Sequence, residues 1–141
     1  MLSATPADVL GCRRQLMLNG DADGLADLFA PDAVIEFSFH GPPGTPVRLE
    51  GREVIREYSR RVMASPLRLE DYEVTELYQT QDPEVVIAEM RAKATVTTTG
   101  RSITAMSIQV LRIREGHIVL FRDFADPRFM EDVIGEPRPG S

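Results

Sequence analysis

The sequence contains no tryptophan, one cysteine and two histidines among its 141 residues. A single cysteine, Cys12, excludes an intrachain disulfide and is typical of a reducing compartment, so we expect a cytoplasmic protein. With so few histidines and cysteines, the sequence predicts no metal site. We expect His40, in a loop rich in Gly and Pro, and His117, after a tight turn, to lie at the surface.

Long hydrophobic runs are also missing. No apolar run approaches the roughly 20 residues that span a bilayer. The first ten residues lack the basic segment and the apolar core of a signal peptide. The 16 basic residues are scattered among 22 acidic ones, giving a net charge of −6. This pattern indicates neither a nucleic-acid-binding protein nor one that binds anionic membranes.

The composition is that of an ordinary globular protein, with 43% hydrophobic and 27% charged residues. Its length predicts one domain with a sizeable core. We assign residues 1–136 to this domain and expect the polar segment 137–141 to be disordered.

Local patterns predict three helices followed by a run of strands. Thr5 and Asp8 form a capping signal for the first helix, which ends at Asn19-Gly20. A second helix carries Leu25, Leu28 and Phe29 and is stopped by Pro31. The third, over 51–63, has Val54, Ile55, Tyr58 and Val62 on one face. A short helix is predicted over 128–135, and strands are predicted over 33–39, 68–79, 84–97, 101–114 and 117–125.

Turn signals at 81–83, 99–100 and 115–116 join the last four strands into an antiparallel meander. Helices followed by such a meander predict an α+β fold, with the helices packed on one face of a curved antiparallel sheet. The space between the two layers is the kind of concavity that binds small molecules.

Alternation along 85–96 predicts which strand residues face inward. The charged residues Glu89, Arg91 and Lys93 share one face, which we expect to be solvated or to face a second copy of the chain. The inward set is Val86, Ala88, Met90, Ala92, Ala94 and Val96.

The last strand places a carboxylate in an apolar row. Val119, Phe121, Asp123 and Ala125 alternate onto one face, and Asp123 is the polar member. Two interpretations are open: a carboxylate in a pocket, or a strand-end Asp that pairs with Arg or bonds the next turn. Gln109, on the neighbouring strand, either lines the same pocket or hydrogen-bonds at the sheet surface.

Several segments resemble the NTF2-like superfamily, and within it the SnoaL-like proteins. They are LFAPDAVIEF, GREVI, TQDPEVVIAE and EGHIVLFRDFAD. The resemblance implies a cone-shaped α+β barrel with an interior pocket, which is usually homodimeric through its sheet. It also implies a role for Asp123, which falls at the acid/base position of SnoaL-type polyketide cyclases and at a catalytic carboxylate of limonene-epoxide-hydrolase-like enzymes.

This sequence also differs from these groups at several positions where they have catalytic residues. Met90 and Ala92 stand where the epoxide hydrolases have Arg and Asp. Phe37 stands at the base position of ketosteroid isomerases. Gln109 replaces the His of the cyclases, and Tyr58 replaces the pocket His of the PhzA/PhzB proteins. The resemblance therefore favours a chemistry that needs only one carboxylate.

The predicted site is an apolar cavity with one carboxylate, one amide and one phenol. Asp123 is its catalytic residue, and its lining is Tyr58, Gln109, Phe37, Met90, Ala92 and Phe121. We expect a small cofactor-independent enzyme of secondary metabolism, of the polyketide cyclase or isomerase type, that acts on an apolar carbonyl compound with Asp123 as general acid/base. The alternatives are a non-catalytic ligand-binding or accessory protein, and epoxide-hydrolase-like or PhzA/PhzB-like activity. Fold alone does not decide between them.

Overall fold

The structure is a computed structural model that describes residues 4–127. The predicted helix over 128–135, the domain boundary at 136 and the tail 137–141 lie outside this range. The elements, in chain order, are α1 Pro6–Asn19, α2 Ala22–Asp27, β1 Phe29–Phe37, β2 Val47–Glu50, α3 Arg52–Met63, β3 Leu67–Gln79, β4 Val85–Val96, β5 Arg101–Arg114 and β6 His117–Ala125.

The capping signal of α1 is confirmed. The Thr5 backbone N–H donates to the Asp8 carboxylate over 3.0 Å, and the Asp8 N–H donates to the Thr5 hydroxyl over 3.1 Å. These bonds satisfy two of the free N–H groups at the start of the helix. Gly20 ends the helix in the left-handed conformation, with φ of 67°.

The second helix is shorter than predicted. It ends at Asp27, and Phe29 already belongs to β1, as does Pro31. A proline is tolerated in this strand because the pairing of β1 with β6 is interrupted between Phe29 and Val34. The sequence predicted a helix stopped by Pro31, and that prediction was wrong.

The six strands form one curved sheet in the order β2-β1-β6-β5-β4-β3. Strands β3 to β6 pair antiparallel in sequence, so the predicted meander is confirmed. Strand β1 lies beside β6 in parallel, which makes the sheet mixed. The short edge strand β2 was not predicted. Register shifts in β3 add bends to the sheet.

The helices pack on one face of this sheet. Helix α1 contacts β3, and α3 contacts β1. Helix α3 is fixed to β1 at its start, where the Gly51 N–H donates to the Ala33 carbonyl over 2.8 Å. Gly51 has φ of 96°, a conformation that glycine adopts without strain. The predicted α+β architecture, with helices on a curved sheet, is therefore confirmed.

The core lies between the two layers. Strand β4 alternates as predicted, with Val86, Ala88, Met90, Ala94 and Val96 buried and Ala92 half-buried. On the opposite face, Arg91 pairs with Glu73 over 2.6 Å. On α3, Ile55 is buried, but Val54 faces solvent rather than the sheet.

Strand β6 contains a bulge that the alternation did not predict. Arg112 lies opposite Leu120 and Ile113 opposite Ile118, so Val119 is the extra residue. Ile118 is therefore fully buried, and Val119 does not share the inward row of Phe121. Beyond the bulge, Phe121 and Asp123 face inward as predicted.

No helix among residues 4–127 is both long and apolar enough to span a bilayer.

Candidate functional site

A cavity of about 950 Å³ lies between the helices and the concave face of the sheet. The seven residues predicted for the site all border it: Phe37, Tyr58, Met90, Ala92, Gln109, Phe121 and Asp123. The structure therefore brings these residues together around one space.

Strand register explains how Asp123 and Gln109 meet. Asp123 lies opposite Gln109 on β5 and beside Phe37 on β1. Side chains in such a cross-strand row point to the same side of the sheet. The row continues to Ala88 on β4, which is fully buried. A carboxylate and an amide thus lie side by side in an otherwise apolar row.

Asp123 is in an environment that disfavours its charged form. Burial raises the pKa of the Asp123 carboxyl above its ordinary value, while the charge of Arg13 and a hydrogen bond from Gln109 act in the opposite direction. Its Oδ1 atom is buried and has no hydrogen-bond partner among the described residues. A carboxylate of this kind is a candidate for proton transfer.

Tyr58 reaches the cavity from α3. Its ring packs against Phe37, with the ring centres 5.5 Å apart. The pKa of Tyr58 is raised to about 12, mainly by burial and also by the charge of Asp123, while the charge of Arg61 acts in the opposite direction. The phenol is therefore neutral at pH 7 and can donate a hydrogen bond.

The structure adds four buried polar residues that the sequence prediction missed, since Arg13, His40, Ser59 and Tyr72 all border the cavity. Arg13, on α1, and Tyr72, on β3, are both buried and both border the cavity. The available signal was the helical period, because Arg13 follows Val9 by four residues and Leu10 by three. Cys12, the residue before Arg13, is exposed.

His40 was predicted at the surface, and this was wrong. It is 9% exposed, and its ring meets the edge of Phe37 with the centres 5.3 Å apart. The chain folds back here, because the His40 N–H donates to the Phe37 carbonyl over 3.3 Å. Loop composition alone does not predict such a return. His117 is exposed, as predicted.

No three His, Cys, Asp or Glu side chains of residues 4–127 come together as a set of metal ligands. The cavity does combine a carboxylate of raised pKa with an amide, two phenols and a guanidinium. Such a set can take a proton from an apolar ligand and stabilise the charge that results.

Known proteins share both the sequence and the fold. Residues 14–121 match the SnoaL-like domain. An uncharacterised PhzA/B-like protein of Pseudomonas aeruginosa is 40% identical over 121 residues, which are 86% of this chain and 84% of that protein. A Bacillus subtilis structure provisionally named an isomerase has a TM-score of 0.82 at 28% identity, covering 94% of each chain.

A provisionally named polyketide cyclase of Pseudomonas putida has a TM-score of 0.72 and covers 92% of this chain and 98% of that one. At 15% identity, this likeness shows the fold alone. The domain match and the Pseudomonas aeruginosa relative extend over most of the chain. The chain therefore belongs to the SnoaL-like family of the NTF2-like superfamily.

Proposed function

We propose that the protein is a cofactor-independent cyclase or isomerase in which Asp123 is the general acid/base for an apolar carbonyl substrate. The observation that carries this proposal is the Asp123 carboxyl itself, which is half-buried beside apolar side chains, with its Oδ1 atom buried and unpartnered. Its raised pKa brings proton transfer closer to neutral pH.

The proposed reaction begins with removal of a proton next to the substrate carbonyl. Asp123 takes the proton, and the electron pair of the C–H bond forms an enolate. Tyr58 can donate to a substrate oxygen, and the unpartnered Oε1 of Gln109 can accept from a substrate hydroxyl. The apolar lining that would hold a flat substrate comprises Phe37, Met90, Ala92 and Phe121.

Proton exchange tests this proposal without the natural substrate. We expect the protein to catalyse deuterium uptake at the α-carbon of 2-tetralone, a bicyclic enolisable ketone, in D₂O. A general base works in its ionised form, so the rate should rise with pH through the pKa of Asp123 and then level off. NMR measures the exchange. A rate equal to that of buffer, or a rate without this titration, contradicts the proposal.

A second candidate is a non-catalytic ligand-binding or accessory protein. It is favoured by the apolar character of most of the cavity wall. In that case 2-tetralone binds without exchange.

Two other activities fit less well. The 40% identical PhzA/B-like relative keeps a PhzA/PhzB-like condensation open, with Tyr58 at the position that the resemblance assigns to a His. Epoxide opening of the limonene-hydrolase type lacks its Arg and Asp, because Arg91 faces away from the cavity and pairs with Glu73.

We further propose that the protein forms a homodimer through the outer face of the sheet. This outer face, defined by Tyr78, Met106, Ile108 and Phe124, exposes 46% of Tyr78, 63% of Met106 and 47% of Ile108. Ile108 and Phe124 are cross-strand neighbours, and Met106 lies two residues before Ile108 on the same face of β5, so these three apolar residues are contiguous. Monomers rarely expose extended apolar patches.

Substitution of Ile108 by Arg should convert this dimer to a monomer, because a charged side chain would have to lose its water at an apolar contact. Light scattering coupled to gel filtration measures the mass. Val54→Arg is the matched control, since Val54 is 48% exposed on α3 and should leave the dimer intact. A monomeric wild type, or a dimeric Ile108→Arg variant, contradicts the proposed interface.

We also propose a cytoplasmic location. Cys12 is an exposed free thiol, and reducing compartments keep thiols in this state.

A further inference from the structure

Arg13 is a buried cation that the proton transfer by Asp123 does not itself use. It is 8% exposed, and its guanidinium carbon lies 4.5 Å from the centre of the Phe121 ring and 5.2 Å from that of Tyr72. Stacking of this kind orients the guanidinium plane. Its Nη1 donates to the Tyr72 hydroxyl. Its Nε is buried without an acceptor among the described residues.

The Tyr72 hydroxyl is held in a defined orientation. Its oxygen accepts one hydrogen bond from Arg13 Nη1 and another from Gln109 Nε2, the latter over 3.2 Å. A phenol oxygen both accepts hydrogen bonds and carries one O–H. Because both of these partners are N–H donors that cannot accept the proton, the O–H is left to donate elsewhere. Tyr72 borders the cavity, so this proton can reach a ligand.

The cavity wall therefore offers a ligand one donor and two acceptors. The donor is the Tyr72 O–H, as inferred from the two bonds that its oxygen accepts. The acceptors are Gln109 Oε1 and Asp123 Oδ1, which lack partners within residues 4–127. Buried polar groups are nearly always hydrogen-bonded, so the ligand is expected to supply the missing partners. A ligand oxygen suits the donor, and an acidic C–H or O–H suits the acceptors.

We propose that the Tyr72 O–H, which Arg13 holds in place through Nη1, forms an oxyanion site, which binds the carbonyl oxygen of a flat, enolisable ketone and stabilises it as the enolate. The inference rests on the proposed function and deepens it by naming the ligand class and the residues that hold its charge. Gln109 is then a positioning residue, because its amide fixes the Tyr72 hydroxyl.

The proposed reaction needs no further reactant. Asp123 takes the α-proton, the C–H electron pair becomes a C=C bond, and the carbonyl π pair moves to the oxygen that the Tyr72 O–H holds. In an isomerisation, the proton returns to another carbon of the same enolate. In a cyclisation, the enolate carbon bonds to a second carbonyl carbon, whose oxygen takes the proton from Asp123.

Naphtholates test the oxyanion site without any turnover, because their charged oxygen on a flat apolar ring mimics an enolate. We expect wild type to bind 2-naphthol and the more acidic 6-cyano-2-naphthol with the bound ligand ionised. Absorbance spectra distinguish naphthol from naphtholate. Affinity should be higher for the more acidic compound. The neutral 2-methoxynaphthalene serves as the reference for apolar binding.

Tyr72→Phe and Arg13→Met should each weaken naphtholate binding by about 10-fold or more, since hydrogen bonds to charged groups are among the strongest. Binding of 2-methoxynaphthalene should change little. Tyr72→Phe removes only the hydroxyl and keeps the ring, so it tests the site even if Arg13→Met fails to fold. The matched controls are Tyr78→Phe on the outer face and Arg14→Met, whose side chain pairs with Asp71. Both should bind like wild type.

The test separates this inference from the proposed function. Asp123→Asn should bind naphtholate at least as tightly as wild type, because a nearby negative charge is removed. If wild type binds naphtholate but does not catalyse deuterium exchange, the oxyanion site is supported and the acid/base role of Asp123 is contradicted. The oxyanion site is overturned if wild type binds only neutral ligands or no naphthol, or if Arg13→Met and Tyr72→Phe bind naphtholate like wild type.

Discussion

Replacement of Asp123 by Asn should slow α-proton exchange by about 10²- to 10⁴-fold, the usual contribution of a general acid/base. The amide has nearly the same shape as the carboxyl, but it cannot take a proton at neutral pH. Deuterium uptake by 2-tetralone, followed by NMR for both proteins, measures the loss.

The fold should survive this change, and the pH dependence of stability shows why. A carboxyl whose pKa is raised by folding binds protons more tightly in the folded state. The contribution of Asp123 to the free energy of unfolding is therefore most favourable below its pKa in the unfolded chain, about 3.9. This contribution is lost as the pH rises through the pKa of Asp123 in the folded protein. At neutral pH the ionised Asp123 destabilises the folded state, so Asp123→Asn should be at least as stable as wild type.

A surface carboxylate provides the matched control. Asp71 pairs with Arg14 over 3.0 Å, and both side chains are 39% exposed. Asp71→Asn should exchange 2-tetralone at the wild-type rate. If Asp123→Asn also retains that rate, Asp123 is not the acid/base.

The largest effect on stability is expected from Ile55→Ala. Ile55 is fully buried on α3, facing the sheet. Truncation of a buried Ile to Ala costs about 2–5 kcal/mol, through lost burial and the cavity left behind. Urea denaturation should show a lower midpoint with an unchanged slope. The comparison should be made at equal protein concentration, since a dimer is stabilised by association.

The preceding residue is the control for this prediction. Val54 is 48% exposed, so Val54→Ala should change the free energy of unfolding by less than about 0.5 kcal/mol. Equal losses in the free energy of unfolding for the two variants would contradict the orientation of α3. They would indicate that Val54 and Ile55 are both buried, as the sequence pattern predicted.

The parts of the site that could be predicted are those fixed by strand alternation. Asp123, Gln109, Met90 and Ala92 lie in regular stretches of β4, β5 and β6, where the period of two assigns each side chain to a face. A polar residue in an otherwise apolar inward row is visible in sequence. For that reason the cavity lining could be named before its geometry was known.

The parts that could not be predicted depend on contacts between distant segments. Arg13 interrupts the apolar face of α1, but its partners Tyr72 and Phe121 are 59 and more residues away in sequence. The bulge at Val119 has no signature in the strand pattern. His40 is buried because its loop folds back on Phe37, which loop composition does not specify.

The central claim is that Asp123 is a carboxyl in an apolar cavity, poised to transfer protons. The most direct test is its pKa, measured by carboxyl-carbon NMR titration of the wild-type protein, with Asp123→Asn to assign the signal. A value clearly above the ordinary value of about 3.9 is the predicted result, because burial is the largest effect on this group. A value at or below the ordinary one would mean that Asp123 is solvated or ion-paired, and it would contradict the acid/base role.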